Sequence, residues 1–222
     1  MKSAITIIEK IASNILIALY QPFWFAVISS VLILFFYMFC YDPQGVGKGW
    51  KIAVKAWIKK FKEEKFFRKL FLLVFFTIMI LFRTLLNRDM WANPLAKVMG
   101  GWWIWEVGQD GSKTLTTECF ENIVLMFPFT LLLMWTMKEK MVKKICFWNI
   151  VKKSTQVAFI FSLTIELLQL FLRLGTFQFS DIFYNTLGGC LGGIVYWIAG
   201  NEHSGVRHQC GKHSVNLREN QS

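Results

Sequence analysis

Glu166, Gln169 and Arg173 recur at i, i+3 and i+7 in an otherwise apolar stretch, Thr155 to Leu174, and Asp181 and Asn185 open a second such stretch. On helices each set falls on one face. Carboxylates, carboxamides and a guanidinium on facing helices can bind phosphate, carboxylate, amine or sugar hydroxyl groups, and Glu166 or Asp181 could act as a general acid or base. Ionisable groups inside a membrane span cost roughly 2.5 to 3.5 kcal/mol each on insertion scales, so they mark a working site. Arg83, Glu121 and Asn122, near the ends of two further apolar stretches, complete the candidate set.

The elements that must position these residues are membrane helices. The chain has 222 residues, 55% of them hydrophobic and 17% aromatic, in blocks too long for the helices of a soluble domain of this size. A span needs about 20 mainly apolar residues, and five segments qualify: Trp24 to Tyr41, Phe66 to Leu85, Glu118 to Met137, Thr155 to Leu174 and Asp181 to Gly200. None alternates with the period of two that a barrel strand requires. The expected fold class is therefore all-α, a polytopic bundle of about five spans. Ile5 to Tyr20 reads as a further helix lying at the interface or extending the first span, with a bend at Pro22. The run is long for a signal peptide and Glu9 and Lys10 interrupt it, so removal of this segment is not expected. Three regions follow: 1–65 with the first span and a basic loop, 66–200 as a four-helix domain, and 201–222 as a disordered polar tail.

Most of the 25 basic residues lie between spans one and two, between spans three and four, and in the tail. The positive-inside rule makes those segments cytoplasmic, with the N-terminus outside and the C-terminus inside. The formal charge of +11 then expresses topology, with acidic lipid as partner and nucleic acid excluded. In the first basic loop Trp50, Val54, Trp57, Ile58 and Phe61 oppose Lys51, Lys55, Lys59 and Lys62 at helical spacing, as in an amphipathic helix lying on the inner leaflet.

This topology puts the polar residues in the outer half of the membrane. Counting along spans four and five sets Asp181 level with Arg173, and Asn185 level with Gln169, across a short hairpin. Gly188, Gly189, Gly192 and Gly193 allow close helix approach, either within the bundle or between copies of the chain. Trp91, Trp102, Trp103 and Trp105 form an interfacial belt in the outer loop or meet sugars or an acyl chain.

Some chemistries are excluded by placement. His203, His208 and His213 all lie in the tail, so no Ser-His-Asp triad and no HExxH zinc site can form in the membrane. With Cys210 they match no zinc spacing, and neither metal nor cofactor is expected. Cys40, Cys119, Cys146 and Cys190 read as small apolar filler. Ser162, one turn before Glu166, reads as a packing serine.

The runs Glu121-Asn122-Ile-Val-Leu-Met-Phe-Pro128-Phe129, Ser162-Leu-Thr-Ile-Glu166-Leu-Leu-Gln169 with Arg173, and Ser180-Asp181-Ile-Phe-Tyr-Asn185-Thr-Leu-Gly188-Gly189 resemble the VanZ-like membrane proteins, as does Arg83-Thr84. Thr130 stands where that family often has Gly. The resemblance covers about Phe66 to Trp197 and implies a bacterial cytoplasmic-membrane protein linked to glycopeptide resistance, above all to lipid-bearing teicoplanin. The expected ligand is a lipid-linked wall precursor or a lipoglycopeptide at the outer leaflet. Two alternatives stay open: an enzyme acting on a lipid headgroup through Glu166 or Asp181, and a small lipid transporter, although no internal repeat supports one.

Overall fold

A computed structural model describes residues 2–41, 49–87, 93–107, 113–142 and 146–203. Among the described residues seven α-helices carry the fold: α1 (Lys2–Tyr20), α2 (Phe23–Tyr41), α3 (Trp50–Glu63), α4 (Lys65–Leu81), α5 (Glu118–Met141), α6 (Phe147–Leu172) and α7 (Phe179–His203). Five segments are long and apolar enough to cross a membrane, as a multi-pass protein requires: Ile5–Tyr41, Lys65–Leu86, Glu118–Met137, Phe147–Leu172 and Phe179–Gly200. The all-α expectation holds, with one addition. The loop before α5 carries a short antiparallel hairpin, β1 (Trp105–Val107) and β2 (Lys113–Leu115), pairing Trp105 with Leu115.

The first two helices are separate. Gln21 and Pro22 form a turn, and the Pro22 carbonyl accepts the Ala26 amide at 2.8 Å as α2 begins. From there α2 runs antiparallel to α4, with Ala26 packed on Ile78 and Met79 and Leu34 on Phe67 and Leu70. Helix α1 instead docks beside α5, where Asn14 donates to Thr117 at 2.8 Å and Ala18 is buried.

The basic helix α3 has a different packing face from the one its periodicity predicts. Trp57 and Phe61 turn inward, where Trp57 stacks on Phe35 and Phe61 and meets Phe67 and Phe71 edge-on. Trp50, Val54 and Ile58 remain exposed beside exposed Lys51, Lys55, Lys59 and Lys62. Burying the aromatic half of the apolar face on α2 and α4 leaves its aliphatic edge outward, next to the charges.

Span four also differs from expectation. Helix α6 starts at Phe147, eight residues before the expected Thr155, and includes Lys152 and Lys153. An apolar window ends at such lysines, but their long stems let the charged heads reach a polar boundary while the helix continues.

Helix α7 packs chiefly against α5 and α6, and its glycines show why. A Cβ on Gly188 would lie 2.6 Å from the Ile123 carbonyl oxygen, and one on Gly192 2.6 Å from that of Phe127. Both backbones therefore approach closer than a methyl group permits. Leu125, Met126, Phe129, Ala158 and Ile165 build the core between α4, α5 and α6. Trp24, Phe36, Phe159 and Phe171 point outward, as they do where lipid is the solvent.

Cys40, Cys119 and Cys190 are free thiols, whereas Cys146 is disulfide-bonded, against expectation. Such a bond depends on two Cα atoms approaching within about 7 Å, which spacing along a chain does not reveal. Trp91, Lys48, Lys143, Lys144 and the tail from residue 204, with Arg207, His208, Cys210, Lys212, His213 and Arg218, lie outside the described residues.

Candidate functional site

The polar residues converge at one end of the bundle, where α4 finishes, α5 and α7 begin and α6 ends. After Leu81 the chain widens into a π-turn, Phe82–Leu86, closed by the Asn87 amide on the Phe82 carbonyl at 2.9 Å. Single π-turns of this kind recur at functional sites. This one presents Arg83 to α5, and Arg83 Nη2 meets Glu121 Oε2 at 2.5 Å. The other oxygen of Glu121 accepts the Thr117 hydroxyl at 2.8 Å. Glu121 is buried while Arg83 keeps 32% of its side-chain exposure. The pair thus sits where the buried interior meets the surface.

Gln169, 1% exposed, donates to the Thr84 carbonyl at 2.6 Å. Carbonyls in the last turn of a helix lack partners within it, so α6 caps α4 from the side. The remaining oxygen of Gln169, Oε1, is buried without a hydrogen-bond partner. Gln169→Leu is expected to cost about 1 to 3 kcal/mol by stranding the Thr84 carbonyl. Gln169→Glu is expected to cost more, since a carboxylate cannot donate to it, and SDS titration of the purified variants would rank the two.

Glu166, 2% exposed, accepts the backbone amide of Gln178 at 2.7 Å. One turn deeper Ser162 accepts from Asn185 Nδ2 at 2.9 Å. Across the other interface Asn122 Nδ2 donates to Asp181 Oδ1 at 2.9 Å, joining α5 to α7. Every carboxylate or carboxamide expected on these helix faces is therefore brought into this end of the bundle.

The register between α6 and α7 differs from the expected one. Asn185 is level with Ser162 and not with Gln169, and the start of α7 is level with Glu166 and not with Arg173. Residues 174–178 do not turn back at once. They run into the bundle, held by Phe177 N on the Pro94 carbonyl at 2.8 Å and Phe179 N on that of Val98 at 2.9 Å. Arg173 is left exposed at the end of α6 in a left-handed conformation, φ 53°, and makes no ion pair among the described residues. The expected approach of Arg173 to Asp181 is not what forms; the Asp181 carboxylate takes Asn122.

Asn14, Thr117 and Gln178 belong to this network and were not foreseen, and Thr84 enters it through its backbone carbonyl. Thr117 carries a signal, one turn before Glu121, but the others contribute through backbone atoms or from a distant helix. The loop beside them is packed closely: Gly100 adopts φ +71°, and a Cβ there would lie 1.9 Å from Ser180 Oγ. Tyr184 donates its hydroxyl to the Trp102 carbonyl at 2.8 Å, and the Trp102 ring leans on Phe183. The same loop encloses a cavity of about 620 Å³, lined by Val98, Met99, Gly100, Trp102, Trp103 and Trp105. Among the described residues no cluster of His, Cys, Asp and Glu could hold a metal ion.

A membrane-type all-α bundle whose one end carries a buried, hydrogen-bonded set of acids and amides defines the class of protein. Residues 23–200 match the model of the VanZ/LLP1 family, so the chain belongs to that family. Comparison with curated proteins and with solved structures found no match.

Proposed function

We propose that this VanZ-family protein lowers susceptibility to glycopeptide antibiotics, teicoplanin above all, by engaging a lipid-tailed or lipid-linked ligand at the outer leaflet. The observation that carries this reading is the tryptophan-walled cavity, whose Gly100 lies against Ser180 at the polar end of the bundle. A ligand with an acyl tail and a charged head needs such an apolar hollow beside polar groups. Exposed Arg173 supplies a cation for a phosphate or carboxylate. Glu166 holds the segment leading into α7, so its part is to position the site.

The orientation rests on charge. With the basic face of α3 on an acidic inner leaflet, the polar end opens outward, the N-terminal side lies outside and the C-terminus inside. Headgroup chemistry at Glu166 or Asp181 remains the second reading, favoured by the burial of both carboxylates at the polar end of the bundle.

The test is susceptibility of a sensitive host producing wild type, Glu166→Gln or Arg173→Ala at equal membrane abundance. Teicoplanin tolerance is expected to rise with wild type, to fall to the host level with Arg173→Ala, and to change far more than vancomycin tolerance. Glu166→Gln keeps an acceptor for the Gln178 amide and is expected to retain tolerance unless the carboxylate itself reacts. Equal tolerance in wild type and Arg173→Ala would remove the anionic-headgroup reading.

A further inference from the structure

The family match begins at residue 23, yet helix α1 and the turn after it reach both limbs of the buried ion pair. On the Glu121 limb, Asn14 Nδ2 donates to Thr117 Oγ1 at 2.8 Å, and the single proton of that hydroxyl goes to Glu121 Oε1, also at 2.8 Å. On the Arg83 limb, Gln21 and Asn87 exchange side-chain amide hydrogen bonds at 3.1 and 3.4 Å. Asn87 is the residue whose backbone amide closes the π-turn that presents Arg83.

We propose that α1 is a clamp on the site, with Asn14 and Gln21 as positioning residues for the Arg83–Glu121 pair. The donor order gives the mechanism. Because Asn14 donates to the Thr117 oxygen, the hydroxyl proton is directed to Glu121, which leaves the other carboxylate oxygen to Arg83. Thr117 stands just before α5, and without Asn14 its hydroxyl can rotate toward neighbouring backbone groups, as threonines at helix starts readily do, so that one constraint on the carboxylate is lost. Gln21 acts on the opposite limb by holding the residue that closes the π-turn. An N-terminal helix outside the family segment thereby sets the geometry at its polar end, and a ligand or lipid that displaces α1 would release Arg83.

This inference goes beyond the glycopeptide reading and is independent of it, because the readout is Arg83 itself. Purified full-length protein would be treated with phenylglyoxal, and modification of Arg83 followed by mass spectrometry with exposed Arg173 as internal reference. Asn14→Leu, Thr117→Val and Gln21→Leu are each expected to raise the Arg83 rate severalfold and leave Arg173 unchanged. Thr117→Ser, which keeps the hydroxyl, should react like wild type. Asn14→Leu combined with Thr117→Val should react no faster than either alone, since they act through one bond chain. Leu19→Ala loosens the same helix by packing only and should have the smaller effect. The proposal is overturned if Asn14→Leu leaves Arg83 unchanged, if the two effects multiply, or if Leu19→Ala matches Asn14→Leu.

Discussion

Arg83→Ala is expected to destabilise the protein by about 3 kcal/mol, the low end of the range for breaking a buried pair. The variant leaves the buried Glu121 carboxylate with the Thr117 hydroxyl and no guanidinium. Placing the effect at the low end follows from geometry, because 32% exposure of the Arg83 side chain lets water reach the vacated position. Arg83→Met with Glu121→Gln should recover much of the loss: the charge is gone, Gln still accepts from Thr117, and the methionine fills the arginine stem's volume. SDS titration of the single and double variants in mixed micelles measures this directly. If the double variant is as unstable as Arg83→Ala, the cost is the lost guanidinium contact and not a stranded charge.

Gly192→Ala is the second large effect, expected near the upper end of the roughly 1 to 3 kcal/mol typical of overpacking. Its Cβ would lie 2.1 Å from Thr130 Oγ1 and 2.6 Å from the Phe127 carbonyl oxygen. The hydroxyl can be removed and the carbonyl cannot. Thr130→Ala should therefore rescue Gly192→Ala only in part. Gly193→Ala offers the contrast, since its nearest neighbours at 2.0 and 2.9 Å are the side-chain Oγ and Cβ of Ser154. Ser154→Ala should rescue that variant more fully. Equal rescue at both positions would mean that α5 moves away from α7 freely, against the close backbone approach described above.

The glycine ladder also shows how the fold could be read from the sequence. Long apolar blocks separated by basic loops predict five spans, and at the site end α5, α7 and α4 with its π-turn lie within about two residues of the expected bounds. The i, i+3 and i+4 spacing predicts which residues share a face, and Glu166, Gln169, Asp181 and Asn185 all turn inward. Register is what spacing cannot supply. The offset of α7 against α6 depends on residues 174–178 pairing with Pro94 and Val98, a contact between loops of irregular sequence. Asn14 was hidden for a related reason: its partner Thr117 is 103 residues away, in the connection that leads into α5. The polar set was therefore legible as a set, but its pairings were not, and Arg173 moved from an expected place beside Asp181 to an exposed terminus.

The central claim is that this polar end opens to the outside and receives a lipid-tailed ligand. The most direct measurement labels Trp103→Cys, in the exposed wall of the cavity, with a membrane-impermeant maleimide in intact cells, mapped by mass spectrometry to separate it from Cys119. The account predicts labelling without permeabilisation, slowed severalfold by teicoplanin and little by vancomycin. Labelling that appears only after the membrane is opened would place the site on the cytoplasmic side and contradict the account.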